Sequence, residues 1–213
     1  MTTLNAGQPP VLPRPLRGFE HVKRYWDKTN EAVVAKILPG ELYVTRINEM
    51  ITTVLGSCIS ACIRDPYAKV GGMNHFMLPM SKADNVNGDK FGSAMRYGNF
   101  AMEHLINEII KNGGQRKNLE VKLFGGGRVL AHMTDVGQRN IEFALEYVQV
   151  EGLKLIADDL GDRFPRKVQY YPASGVARMK KLRSMHNRTI VEREEAYMKN
   201  IVQTPVSGEI ELF

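Results

Sequence analysis

Cys58 and His75 are the two residues in this sequence best placed to do covalent chemistry together. They stand in the segments Thr52-Thr53-Val54-Leu55-Gly56-Ser57-Cys58-Ile59 and Gly71-Gly72-Met73-Asn74-His75-Phe76-Met77-Leu78-Pro79. Asp65-Pro66-Tyr67-Ala68 lies between them and reads as a tight turn, with proline where its fixed φ is favoured. A two-residue connection there pairs Asp65 with Ala68 and, carried back along both strands, Cys58 with His75. Cross-strand partners have Cβ atoms about 4.5–5.5 Å apart, close enough for an imidazole to hydrogen-bond a thiol. The same register sets Arg64 against Lys69, a like-charge pair that counts against it. An imidazole beside a thiol lowers the thiol pKa and makes a strong nucleophile, expected to be partly exposed. Backbone N–H groups at Gly56 and Ser57 can form an oxyanion hole. The second imidazole nitrogen needs an orienting acceptor, and Thr52 offers its hydroxyl or its carbonyl.

The bland readings set the scale. A free cysteine is usually a small buried hydrophobe, and only the pairing with His75 and the Gly-Ser lead-in single out Cys58. Cys62 falls on the same strand face, opposite Gly71, and reads as core. His21, His104, His132 and His186 lack a comparable partner. Two cysteines and scattered histidines give no zinc spacing, so neither metal nor cofactor is expected. The Gly125-Gly126-Gly127 run lacks the Lys-Ser/Thr of a phosphate loop and reads as a turn or a close backbone approach.

The elements that must position these residues follow from periodicity. Residues 1–30 carry four prolines and no period, and read as a mobile arm. Residues 31–46 give two apolar runs around Pro39-Gly40, a strand–turn–strand pattern. Apolar stretches at 51–63 and 70–78 flank the turn, and 81–92 is a polar loop. Residues 93–112 predict a helix, with Met102, Leu105, Ile106, Ile109 and Ile110 on one face and Gly113 to end it. Residues 119–124 alternate as a strand, and 139–150 predict a second helix. Residues 154–157, 167–171 and 176–180 read as strands. The tail predicts a helix over 189–201 and a closing strand over 209–213. The sum is a mixed α/β or α+β architecture.

Composition bounds the function classes. The chain has 213 residues, 43% hydrophobic and 24% charged, which excludes wholesale disorder. Its formal net charge is +6, but no aromatic-interleaved basic motif accompanies the charge, so nucleic acid is not an expected partner. No apolar run approaches the roughly 18 residues of a membrane helix, and the N-terminus does not read as a signal peptide. Two cysteines suit a reducing compartment, and a cytoplasmic location is expected.

Taken together, the motifs resemble those of the chemoreceptor glutamine deamidase family, CheD. The resemblance rests on Thr52-x-x-Leu55-Gly56-Ser57-Cys58, Arg64-Asp65-Pro66 and Gly71-Gly72-Met73-x-His75-x-Met77-Leu78-Pro79. It extends through Tyr97-Gly98-Asn99, Phe124-Gly125-Gly126-Gly127, Gly137-x-Arg139-Asn140, Arg166-Lys167-Val168 and Ser174-Gly175. It covers about residues 33–182. The chain departs from the family pattern at Asp162, where a second glycine usually follows Gly161. It also departs in its N-terminal arm and in a basic stretch, 176–200, with seven Lys/Arg against three Glu.

The resemblance implies a catalytic Cys58, His75 and Thr52; Tyr97 and Asn99 are candidates either for lining a substrate cleft or for a structural role. It implies packed mixed β-sheets with helices outside, similar to cytotoxic necrotizing factor-type deamidases. It divides the chain into an arm (1–30), a deamidase domain (31–182) and a C-terminal extension (183–213). The implied reaction is hydrolysis of receptor glutamine side chains to glutamate with release of ammonia through a Cys58 thioester. Receptor methyl-ester hydrolysis is chemically compatible, and a CheC-like chemotaxis phosphatase is an implied partner. A different Cys–His amidase or acyl transferase, and a non-enzymatic regulator of a chemotaxis phosphatase, are the alternatives the residues leave open.

Overall fold

The computed structural model describes residues 10–79, 89–129, 136–183 and 188–203. Strands β1 (Lys23–Asp27), β2 (Ala32–Lys36), β3 (Leu42–Thr45), β4 (Glu49–Leu55), β5 (Ile59–Asp65) and β6 (Val70–Asn74) come first. Helix α1 (Asp89–Lys111), β7 (Glu120–Gly125), α2 (Val136–Val150), β8 (Lys154–Leu160), β9 (Arg166–Tyr171), β10 (Val176–Lys181) and α3 (Arg188–Gln203) follow. Two five-stranded mixed sheets result, ordered β1-β2-β4-β9-β10 and β3-β6-β5-β7-β8. The β2–β4 and β7–β8 pairs are parallel and the others antiparallel. This is the α+β class the sequence pattern predicts.

One continuous apolar core takes Ile51, Leu55 and Val168 from the first sheet, Ile59, Ile63, Met73 and Leu123 from the second, and Leu105, Ile109 and Ala144 from α1 and α2. Helices α1 and α2 lie against the second sheet. The apolar stripe on α1 places Met102, Leu105, Ile106 and Ile109 fully inside, as a 3.6-residue period requires, while Ile110, expected on the same face, lies at its edge and is exposed.

The two apolar runs around Pro39-Gly40 do not form a hairpin. β2 joins the first sheet and β3 the second, so the chain changes sheets at that turn. It changes sheets again between β4 and β5, at Gly56-Ser57-Cys58. The candidate nucleophile therefore sits where one sheet hands over to the other.

The N-terminal stretch is not wholly a loose arm. Phe19 and Val22 are buried, Phe19 packs edge-on against Tyr43 with ring centroids 5.4 Å apart, and β1 pairs with β2. Apolar residues at 19, 22 and 26 supply the burial that the prolines at 9–15 obscure. Residues 1–9, positions 81–88 of the loop expected over 81–92 and the expected closing strand over 209–213 lie outside the described residues, whereas 89–92 open α1 instead of extending that loop.

The β5–β6 register also differs from the one a two-residue turn dictates. Asp65 pairs with Val70, Cys62 with Met73, and Ile59 bridges to Phe76. The connection holds four residues because Asp65 Oδ1 accepts the N–H groups of Tyr67 (2.8 Å) and Ala68 (3.0 Å), and Lys69 closes it with φ 54°. Arg64 thus faces Gly71 rather than Lys69. The shift is two residues, so each side chain keeps its face.

Candidate active site

The site grows from backbone geometry at the sheet handover. The Gly125–Gly127 run serves a close backbone approach. Gly126 N–H donates to the Cys58 carbonyl (2.8 Å) and Gly127 N–H to the Gly56 carbonyl (2.7 Å). Gly125 has φ 120°, and a Cβ there would lie 2.0 Å from the Cys58 carbonyl oxygen, so no other residue fits. Asn140, fully buried on the first turns of α2, ties the other side. Its amide donates to the Ser57 carbonyl (2.8 Å), and its Oδ1 accepts the Leu78 N–H (2.9 Å). Asn140 thus fastens the Cys58 loop to the segment that carries His75.

His75 follows β6, and its main chain is pinned by the Pro39-Gly40 turn. Gly40 N–H donates to the His75 carbonyl (2.7 Å) and His75 N–H to the Glu41 carbonyl (2.9 Å). The observed register carried past Ile59 sets Cys58 opposite Met77, so His75 is the diagonal neighbour of Cys58 rather than its direct partner. The two functional groups still meet. The Cys58 sulfur, an imidazole nitrogen of His75 and a carboxylate oxygen of Glu194 all lie within 4.8 Å of one another.

The threonine hydroxyl that meets the imidazole is that of Thr53 rather than Thr52. Thr53 Oγ1 lies 2.8 Å from Nδ1 of His75 and 2.8 Å from the Ile37 carbonyl. Thr52 Oγ1 donates instead to the Val168 carbonyl on the neighbouring strand (2.8 Å). Both residues are on β4, where successive side chains point to opposite faces, so only one can reach the imidazole. A hydroxyl has a single proton. Given to Ile37, it leaves Thr53 accepting from Nδ1–H. The lone pair is then on Nε2, which is buried with no hydrogen-bond partner among the described residues.

Glu194, on α3, was not singled out by sequence reasoning. Its Oε1 accepts the Gly56 N–H (2.7 Å) and, at 3.4 Å, the Cys58 N–H. Its Oε2 accepts the Ser57 N–H (2.8 Å) and the Ser57 hydroxyl (2.6 Å). The N–H groups expected to hold an oxyanion therefore converge on an anion belonging to the chain itself. The sequence did hold a signal: Glu194 shares its helix stripe with Tyr197, Met198 and Ile201 at i+3, i+4 and i+7, an apolar face interrupted by a carboxylate.

Cys58 is fully buried rather than partly exposed. Burial pushes its thiol pKa well up, and the Glu194 carboxylate adds to that by charge and by hydrogen bonding. Burial first, and then the Arg193 guanidinium, lower the His75 pKa to about 3. Thiol and imidazole are both neutral in this arrangement. A thiol, an imidazole and a carboxylate so close are a donor set that a soft divalent metal accepts. Here, however, both carboxylate oxygens accept N–H or O–H bonds. Cys62 is buried in the core opposite Met73, as its position on the inward strand face predicts.

Tyr97 is half-buried on α1, its hydroxyl bonded to that of Tyr197 on α3. Asn99, two residues on, is exposed. The structure brings Tyr97 toward the site and turns Asn99 to solvent. His132 and His186 lie outside the described residues.

Comparison with known proteins identifies the family. Residues 77–181 match the family model "CheD chemotactic sensory transduction". A protein of Halorhodospira halophila named probable chemoreceptor glutamine deamidase CheD is 60% identical over 95% of this chain and 95% of its own length. Proteins of the same name from Hahella chejuensis (50% identical, 97% of this chain, 96% of that one) and Saccharophagus degradans (51%, 96% and 94%) are similar over as much. Among solved structures, Neisseria meningitidis protein NMB0706 aligns with a TM-score of 0.36 at 8% identity, over 57% of this chain and 53% of that one. No helix among the described residues is long and apolar enough to cross a membrane. With such relatives matched over nearly their whole length, the chain belongs to the CheD family.

Proposed function

We propose that this protein is a glutamine deamidase of chemoreceptors, with Cys58 as nucleophile, His75 as base and acid, and Thr53 as the residue that orients His75. The observation that carries the reading is the convergence of three backbone N–H groups on one carboxylate beside a thiol and an imidazole whose Nε2 is free to take a proton. Nε2 takes the Cys58 proton as sulfur attacks the side-chain carboxamide carbon. The carbonyl oxygen becomes an oxyanion, held by the N–H groups of Gly56, Ser57 and Cys58. Loss of one such donor costs about 3–4 kcal/mol in transition-state stabilisation at comparable sites. The C–N bond breaks, imidazolium gives its proton to the departing ammonia, and a thioester remains. A water deprotonated by His75 then cleaves the thioester, releasing glutamate and restoring the thiol.

A methyl ester enters the same path with methanol as leaving group, so receptor methylesterase activity follows from the same chemistry. An unpaired catalytic thiol suits the cytoplasm, where thiols stay reduced. A CheC-like phosphatase as partner belongs to the same reading and draws its support from the family resemblance.

Mass spectrometry of a folded receptor fragment incubated with the protein tests the reading. Conversion of selected glutamines to glutamate, with equal ammonia release and none with Cys58→Ala, is the expected result. Ammonia release from free glutamine but not from the fragment would identify a small-amide amidase instead.

A further inference from the structure

We infer that helix α3 is a built-in product mimic. Glu194 fills the position of the side chain that the enzyme acts on, and α3 fills the groove that receives a helical substrate segment. The inference rests on the deamidase reading and adds the shape of the substrate and the state of the free enzyme.

The chemistry of the occupant is specific. A glutamate side chain is what deamidation leaves behind, with the carboxamide nitrogen replaced by oxygen. Its carboxylate is bound where an oxyanion would form, by Gly56, Ser57 and Cys58 N–H and the Ser57 hydroxyl. It also lies within 4.8 Å of the thiol and the imidazole. Burying a carboxylate is costly unless its oxygens are hydrogen-bonded. Glu194 is wholly buried, and the cost is met by the same groups that stabilise the reaction.

The occupant is a helix, and its contacts continue along one stripe. Tyr197 packs its ring edge against Gly40, where a Cβ would come within 3.0 Å of it, and bonds the Tyr97 hydroxyl. Met198 enters the core and Ile201 packs against it. Arg193, one residue before Glu194, donates to the Val54 carbonyl (2.9 Å). A substrate that replaces α3 is therefore an amphipathic helix with a glutamine on its apolar stripe. Residues three, four and seven positions on would be aromatic or aliphatic.

With α3 seated, Cys58 is closed to any protein glutamine. The neutral thiol and the low His75 pKa fit a resting enzyme. The segment follows the last strand and takes no place in either sheet, so it can lift without unpairing a strand. A tethered helix competes at a high effective concentration, so a substrate helix must outbind it before turnover.

The test uses the full chain carrying Glu194→Gln, which converts the product mimic into a substrate. The expected result is that peptide mass spectrometry recovers position 194 as glutamate, with ammonia released, while the same substitution combined with Cys58→Ala keeps its amide. Attack, C–N cleavage and hydrolysis then run in cis as written above. An intact amide at position 194 in a protein that still deamidates receptor fragments overturns the inference and leaves the deamidase reading standing. An intact amide with no receptor turnover in this variant or in the unmodified chain removes both.

A second variant reads the plug without turnover. In folded Glu194→Ala, Cys58 alkylation by iodoacetamide should rise at least about tenfold, as expected for loss of a tethered competitor. Cys62 remains unreactive and serves as the internal control. An unchanged alkylation rate overturns the inference.

Discussion

Thr53 accepts the Nδ1 proton of His75 because its own hydroxyl proton goes to the carbonyl of Ile37. That chain of two 2.8 Å contacts fixes the tautomer, and the tautomer decides which imidazole nitrogen can act as base. The same arrangement recurs wherever a buried acceptor holds a catalytic imidazole by its far nitrogen.

Thr53→Ala should lower deamidation by about 10–100-fold, smaller than the loss for Cys58 or His75, because an orienting residue neither attacks nor carries the proton. It also leaves the Ile37 carbonyl without its donor, at about 1–3 kcal/mol in stability. Thr53→Ser keeps the oxygen and should retain most of the turnover. Thr52→Ala should leave the rate near normal, because that hydroxyl serves Val168. Steady-state kinetics on a receptor fragment separate the cases. Equal large losses for Thr53→Ala and Thr53→Ser would show that the methyl group, not the hydroxyl, positions His75.

Cys58 and Cys62 are both fully buried, so stability alone does not tell them apart. Each Cys→Ala change should cost about 1 kcal/mol or somewhat more through a small cavity. Only Cys58→Ala should abolish turnover. Urea unfolding alongside ammonia release checks both halves. Activity in folded Cys58→Ala, or its loss in folded Cys62→Ala, would reverse the assignment.

The elements that formed the site were readable in unequal measure. Cys58 and His75 were legible because one hairpin joins them. The turn came out two residues too long for the sequence-based register, yet the even shift preserved the shared face. The choice between Thr52 and Thr53 was not legible. It depends on which face of β4 turns inward, and that is fixed by pairing with β2 and β9, the latter more than a hundred residues away. Glu194 reaches Gly56 across 138 residues; the interrupted apolar stripe marks it as an inward carboxylate but not its partner. Asp162 shows the opposite case. It stands where the family resemblance expects a second glycine, and it adopts the left-handed backbone (φ 70°) that glycine takes most readily.

His75 makes stability depend on pH. Its folded pKa of about 3 lies below the ordinary imidazole value of 6.5, because burial disfavours the charged ring. Above pH 6.5 both states hold a neutral imidazole and the contribution is complete. As pH falls from 6.5 toward 3, the unfolded chain takes up a proton that the folded protein refuses, and stability is lost. The slope from one such group approaches about 1.4 kcal/mol per pH unit at most. His75→Gln should flatten the decline of unfolding free energy across that window. Parallel curves for the two proteins would show that the imidazole does not titrate there.

Gly56 gives the sharpest separation between opening the site and using it. Its φ lies outside the left-handed range, so alanine is compatible with the backbone. The constraint is space. An added Cβ would come 2.5 Å from Val129 Cγ2, and 2.7 and 2.8 Å from the two carboxylate oxygens of Glu194. Any carboxamide bound on the same N–H groups meets the same methyl. Gly56→Ala should therefore fold, expel Glu194 and raise Cys58 alkylation, yet fail to turn over receptor glutamine. Glu194→Ala removes the plug without filling the hole, so it should show fast alkylation together with turnover. If Gly56→Ala deamidates receptor fragments at the normal rate, the substrate carbonyl does not bind at Gly56. The oxyanion would then have to be held elsewhere.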